Sequence, residues 1–220
     1  MEQLDYYDQD GNYLGVEPRD KIHADGLWHK TVHCWLYDSA GNVYFQLRED
    51  AWGNHNKMYT TASGHVKTGE TVRQAFVREM KEEIGIEIDV AAPKYIMTMA
   101  WSLDMPQKDG GIMRDRALAN IYASCIGKKP PLFAFTDGEV EGIIKVNAKK
   151  ALQLLRKETG KVRATRIDKN NNFEKVEIGM KDFLINPTEI GIVKYGKVLQ
   201  VITTATTQPY TSRLKEKTVI

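Results

Sequence analysis

The stretch Gly64–Ile86, GHVKTGETVRQAFVREMKEEIGI, decides how this chain is read. Glu79, Glu82 and Glu83 stand at i, i+3 and i+4, so on a helix their carboxylates share one arc of about 100°. Like charges on neighbouring turns destabilise a helix by roughly a few tenths of a kcal/mol per pair. Such a face makes sense when something positive rests on it, and hard divalent cations such as Mg²⁺ or Mn²⁺ prefer oxygen ligands. Gly64 and Gly69 bracket a loop whose backbone can approach a ligand closely, and Gly85 stops the helix. Val72, Phe76, Met80 and Ile84 recur every four residues and give a core-facing stripe. Glu70 and Arg78 can form an ion pair that holds the loop against the helix.

Working outward, Leu4 to Leu14 reads as a hairpin turning at Asp10-Gly11. The segment from Trp28 to Tyr37 moves toward a strand, Ser39 to Asn42 is a turn, and Val43 to Arg48 is a second strand. Asn54 to Thr60 is a polar loop before a short strand that leads to Gly64. Beyond the helix, Glu87 to Val90 and Lys94 to Trp101 read as strands, Leu103 to Gly111 as a loop, and Ile112 to Ile126 as a strand carrying Arg114 and Arg116 on one face. The acidic loop Thr136 to Gly142 enters a strand, Ile143 to Val146. Asn147 then caps a helix running through Glu158, with Gly160 ending it. Val162 to Asp168 and Phe173 to Ile178 form a hairpin, and Ile190 to Lys194 with Val198 to Thr204 reads as another. Ser212 to Ile220 is a basic tail. Strands interspersed with two helices predict an α+β or α/β sandwich rather than a barrel.

Composition sets bounds. The chain has 220 residues, 42% apolar and 27% charged, with a net charge of +2. That is ordinary globular composition, and it lacks the basic excess of a dedicated nucleic-acid binder. Two cysteines, Cys34 and Cys125, make neither a disulfide scaffold nor a CxxC metal site, and a buried free thiol is expected of both. With no signal segment or apolar run of about 18 residues in the sequence, the expected setting is cytoplasmic and the expected partner is not a membrane.

Gly64, Glu70, Arg78-Glu79-Met80, Glu82-Glu83 and Gly85-Ile86 together resemble the complete Nudix box. The resemblance covers roughly residues 30–158. It implies a mixed sheet sandwiched between helices, preceded by an N-terminal hairpin extension (1–29) and followed by an appended β-rich element (159–220). That last element could cover the site or form a homodimer interface. The resemblance implies hydrolysis of a diphosphate linkage in a nucleoside diphosphate derivative or similar small organic pyrophosphate, with Mg²⁺ or Mn²⁺. A divalent cation offsets phosphate charge and lowers the pKa of bound water, while a carboxylate takes the proton. Glu79 and Glu83 are then the metal ligands, with the Gly64 carbonyl beside them. Glu82 is a ligand or the base, and Glu139 is a further candidate base, with Glu141 behind it. Glu70, Arg78 and Gly85 shape the box.

Arg48, Arg114 and Arg116 are candidates to fork onto phosphate oxygens, with surface ion pairing as the alternative for each. Trp28, Trp52 and Trp101 could stack on a base, although large aromatics are more often core. His23, Trp28-His29, Trp35-Leu36 and Gly64-His65 are similar to the isopentenyl-diphosphate isomerase-like branch. Isomerases of that branch carry a second metal site of histidines and two strand glutamates, plus a cysteine just before the Gly-His. Here Ser63 stands at the cysteine position and Arg114-Asp115-Arg116 at the Glu-x-Glu position, which argues for a hydrolase. His23, His29, His33 and His65 are expected to hold loops by hydrogen bonds, and His55 has no assigned part. The alternatives are an isomerase, a nucleotide-sensing module without turnover, and RNA cap hydrolysis, the last disfavoured by the charge.

Overall fold

The computed structural model describes residues 2–48, 56–107, 110–128, 131–136, 138–184 and 189–207, the last four-residue lead-in 189–192 as backbone only. In chain order the elements are β1 (Gln3–Tyr7), β2 (Tyr13–Pro18), α1 (Arg19–Asp25), β3 (Trp28–Tyr37), β4 (Asn42–Arg48), β5 (Lys57–Tyr59) and β6 (Ala62–His65). They continue with α2 (Val72–Ile84), β7 (Lys94–Pro106), β8 (Ile112–Cys125), β9 (Val140–Asn147), α3 (Ala148–Leu155), β10 (Val162–Ile167), β11 (Phe173–Ile178) and α4 (Glu189–Thr207). The chain divides into two compact units, and β3 passes from one into the other between Trp35 and Leu36.

The first unit comprises Met1–Trp35, Thr60–Ser124 and Phe133–Gly138. Its opening hairpin turns where the Asp8 carboxylate accepts from the backbone N–H of Asp10 and of Asn12, at 3.0 and 2.8 Å. Strand β3 is the hub, pairing with β1, β6 and β8. The β3–β6 ladder sets His33 opposite Ser63, Val32 opposite Gly64 and Thr31 opposite His65. Helix α2 starts at a Thr71/Gln74 capping box and stops at Gly85, whose φ of 72° is left-handed. Phe76, Met80 and Ile84 are fully buried on it, whereas Val72 in the first turn is half-buried.

The second unit comprises Leu36–Tyr59, Cys125–Leu132 and Glu139–Ile220. Within it β4 pairs with the end of β3, with β5 and with β9, and β9, β10 and β11 follow as an antiparallel row. Helix α3 is capped by the Asn147 side chain, and α3 and α4 pack together. Phe45, Phe183 and Tyr195 meet ring to ring at 5.4–6.1 Å in its core.

Several expectations need correcting. Residues 190–204 form a helix and not a hairpin, because Tyr195, Val198, Leu199 and Ile202 are buried at helical spacing. Their β-branched neighbours and the Tyr195-Gly196 step imitate strand and turn chemistry, and packing overrides that preference. Helix α1 was not foreseen, the 54–60 stretch contains β5, and α3 ends at Leu155. Glu87 to Val90 is not a strand; the Glu87 carboxylate instead accepts from Lys81 at 2.9 Å. Strand β7 continues to Pro106, so the expected 103–111 loop is shorter. Cys34 is buried as expected, but Cys125, at the end of β8, is exposed. Trp52, His55 and the tail 212–220 lie outside the described residues.

Candidate active site

Helix α2 presents its glutamates to the loop and strand that precede it. Arg78 is the knot of this arrangement. Its Nε and Nη2 donate to the two Glu70 oxygens at 2.9 Å each, a bidentate pair that fixes the loop. Nη1 donates to Glu79 at 2.5 Å and to Glu82 at 3.0 Å, and Nη2 also reaches the carbonyl of His65 at 2.8 Å. Burial works against the guanidinium charge, yet the carboxylates around it, Glu70 foremost, raise its pKa overall.

Glu79 and Glu83 lie on the inner side of the helix, 8% and 4% exposed, while Glu82 is turned outward with its side chain 51% exposed. Glu79 sits hard against the backbone of β6, so a Cβ built on Gly64 would fall 2.0 Å from its Oε1. Glu83 accepts weakly from the Ser63 N–H at 3.3–3.4 Å. Burial raises the Glu79 pKa, an effect that Arg78 partly offsets. Beneath them the Cys34 thiol is held protonated by burial and by the charges of Glu79 and Glu83. The carboxylates of this helix offer oxygen, the donor that hard divalent cations take, and Arg78 holds two of them, Glu79 and Glu82. At the far end of the helix, a side chain on Gly85 would strike Ala134, and Thr136 Oγ1 donates to the Glu82 carbonyl at 2.7 Å.

The other expected residues are distributed. Arg48 and Glu139 belong to the second unit and pair with each other at 3.4 Å, with the Arg48 guanidinium 5.5 Å from the Tyr59 ring centroid. Glu141 accepts from Lys169 at 3.2 Å. In the first unit Arg114 donates to the Ala24 carbonyl at 2.6 Å, and Arg116 pairs with Asp104 at 2.6 Å.

The strand residue between those arginines, Asp115, faces the histidines. His23, His29 and His65 meet with ring centroids 5.0–5.2 Å apart, and their potential ligand atoms lie within 4.8 Å of one another. His29 Nδ1 lies 3.1 Å from the Leu27 carbonyl, which assigns the proton to Nδ1 and leaves the Nε2 lone pair facing the group. That Nε2 is buried without a hydrogen bond, 3.5 Å from Asp115 Oδ1. Asp115 Oδ2 in turn accepts from Trp101 Nε1 at 3.1 Å. Burial lowers all three histidine pKa values and raises that of Asp115. Three imidazoles whose protonation is disfavoured make a nitrogen donor set that suits a borderline divalent ion.

Sequence reasoning assigned no part to the Ser63 amide, which sits next to Gly64, and placed Asp115 only in a run of arginines. Alternation along β8 was the available signal for Asp115, since it puts residue 115 on the face opposite 114 and 116.

Comparison with known proteins identifies the family and the fold. A family model described as the NUDIX domain matches residues 27–166. An uncharacterized Nudix hydrolase of Clostridium acetobutylicum is 30% identical over 149 residues, which span 66% of this chain and 69% of that protein. Nudix hydrolase 3 of Arabidopsis thaliana is 28% identical over 140 residues, 61% of this chain but 18% of its own length. An isopentenyl-diphosphate Delta-isomerase of Serratia proteamaculans is 24% identical over 130 residues, 59% of this chain and 69% of that enzyme. Among solved structures, DR0079 from Deinococcus radiodurans superposes with a TM-score of 0.51 at 20% identity, covering 71% of this chain and 90% of that one, and so shares the fold.

Proposed function

We propose that this chain, which belongs to the Nudix family, hydrolyses the diphosphate linkage of a nucleoside diphosphate derivative or a similar small organic pyrophosphate with Mg²⁺ or Mn²⁺ bound. Pyrophosphate-bond hydrolysis is the general reaction of that family, and the chain is a pyrophosphohydrolase. What carries the reading is the burial of Glu79 and Glu83 against the backbone of Ser63 and Gly64. These carboxylates and the Gly64 carbonyl would hold the cation, which when bound neutralises phosphate charge and acidifies a water. Glu82, exposed on the same helix, is the carboxylate we assign to orient that water and take its proton. Arg48, Arg114 and Arg116 are candidates for the substrate phosphates. Arg78 neutralises the carboxylate group without touching substrate and serves as a positioning residue. A net charge of +2 favours a small-molecule partner, and a homodimer in the cytoplasm is the assembly we propose.

The histidine group supports a second reading, in which His23, His29, His65 and Asp115 hold a further divalent ion. Isomerase chemistry is disfavoured by Ser63, a hydroxyl at the position where that branch carries a cysteine, and by Arg114 and Arg116 in place of two carboxylates. The test is product release across a panel of nucleoside triphosphates, nucleotide sugars, dinucleotides, thiamine diphosphate and isopentenyl diphosphate, with Mg²⁺ or Mn²⁺. Cation-dependent hydrolysis that disappears in Glu83→Gln is the expected result. Tight ligand binding with no turnover anywhere in the panel would replace the hydrolase with a sensing module. Conversion of isopentenyl diphosphate to its isomer would restore the isomerase.

A further inference from the structure

The second unit holds a cavity of about 900 Å³ that shares no residue with the candidate active site. Four cationic side chains line it, Lys145, Lys150, Arg163 and Lys175, against one acid, Glu177. Strand register explains their convergence. Lys145 on β9 stands opposite Thr165 on β10, which stands opposite Lys175 on β11, so the two lysines flank a threonine in one cross-strand row. Two strand spacings put their backbones about 9.6 Å apart. Arg163 lies two residues along β10 from Thr165, on the same face and about 6.8 Å away. Lys150 comes from the first turn of α3.

Local acids offset only part of this charge. Glu177 stands opposite Arg163 in the β10–β11 register and also lies 3.8 Å from Lys161, outside the cavity. Lys145 is 3.1 Å from the buried carboxylate of Asp38. Among the described residues, Lys150, Arg163 and Lys175 have no ion-pair partner, and Lys175 donates to the Thr165 hydroxyl at 3.3 Å. Like charges gathered on neighbouring strands are destabilising, and a concave wall focuses their field outward toward anions. Phe173 lines the same cavity with 57% of its surface exposed, an apolar ring beside the cations. A phosphate chain answers the cations and a flat heterocycle answers the ring. The volume is that of a small-molecule site rather than of a path for a strand.

We propose that this cavity binds a free nucleoside polyphosphate, its phosphates on Lys145, Lys150, Arg163 and Lys175 and its base stacked on Phe173. The claim stands apart from the hydrolytic reading, because none of these residues takes part in it. The test is calorimetric titration of the full chain with the β,γ-methylene analogue of ATP, in chelator so that no divalent cation recruits it to the glutamates. Circular dichroism and thermal melts of each variant confirm folding. Saturable binding should weaken at least about tenfold in Arg163→Ala/Lys175→Ala, through loss of two charge-assisted contacts. It should weaken about fivefold or more in Phe173→Ala, through loss of stacking, and stay unchanged in Glu83→Gln. Absence of binding at millimolar analogue would overturn the proposal. So would binding that falls in Glu83→Gln and not in the double variant. Inorganic triphosphate binding as tightly as the analogue would remove the stacked base, and a single-stranded oligonucleotide binding more tightly would replace the free nucleotide.

Discussion

The glutamates of α2 carry their counter-charge with them in Arg78, whereas the histidines of α1, β3 and β6 have carboxylates at their margin, Asp115 beside His29 and Glu2 4.0 Å from His65. Both groups lie in the first unit, and β6 serves both: Gly64 lies under Glu79, and the next residue, His65, supplies an imidazole. The difference is in how burial is tolerated. Burial penalises the Glu79 carboxylate, and the Arg78 guanidinium beside it offsets part of that penalty. Imidazoles tolerate burial by shedding the proton, and so present lone pairs rather than charge. A charged oxygen cluster suits hydrolysis driven by a hard cation, and a neutral nitrogen cluster suits retention of a borderline one.

The largest expected effect separates the groups outright. Glu83→Gln should reduce kcat by on the order of 10³-fold with the melting temperature nearly unchanged, while His29→Ala should retain measurable hydrolysis. Steady-state assays of the two variants side by side check this. Next in size, Arg78→Met leaves Glu70 and Glu79 without their shared cation and should destabilise the fold by about 3 kcal/mol, read by urea unfolding. Gly64→Ala should cost about 1–3 kcal/mol by overpacking, with turnover falling as the Glu79 carboxylate is displaced; a crystal structure of the variant would show the shift. The smallest effect is on pH dependence. In chelator-treated protein the histidines are neutral at a pH where the unfolded chain, titrating at 6.5, already binds protons. Stability should therefore decline as pH falls from 6.5 through the lower folded values, and His29→Ala should flatten that decline. The carboxyls of Asp115 and Glu79, raised by burial, work in the opposite direction, so identical profiles in the parent protein and His29→Ala would contradict the account of the histidines.

The same contrast explains what the sequence could reveal. The glutamate group is written within one helix and its entry loop, so periodicity, the capping glycine and the Glu70–Arg78 spacing expose it directly. The histidine group is assembled from positions 23, 29, 65 and 115, and its geometry depends on strand register that no local pattern states. Reading 114–116 as a block hid Asp115 behind two arginines that point elsewhere. The hairpin over 162–178 was legible because Asp168 and the asparagines after it announce a turn, and the Asp168 carboxylate does close that turn on the backbone of Asn170 and Asn172. Helix α4 was not, because its Ile and Val content matches a strand until the burial of Tyr195, Val198, Leu199 and Ile202 is known.

The most direct measurement is Mn²⁺ titration of the parent protein, Glu83→Gln and His29→Ala, recording bound metal by electron paramagnetic resonance and hydrolysis of the best panel substrate together. Turnover should rise with occupancy of the metal site that Glu83→Gln removes, and it should persist in His29→Ala with one fewer ion bound. Hydrolysis that survives Glu83→Gln, or that vanishes with His29, would contradict the assignment of the reaction to the glutamates of α2.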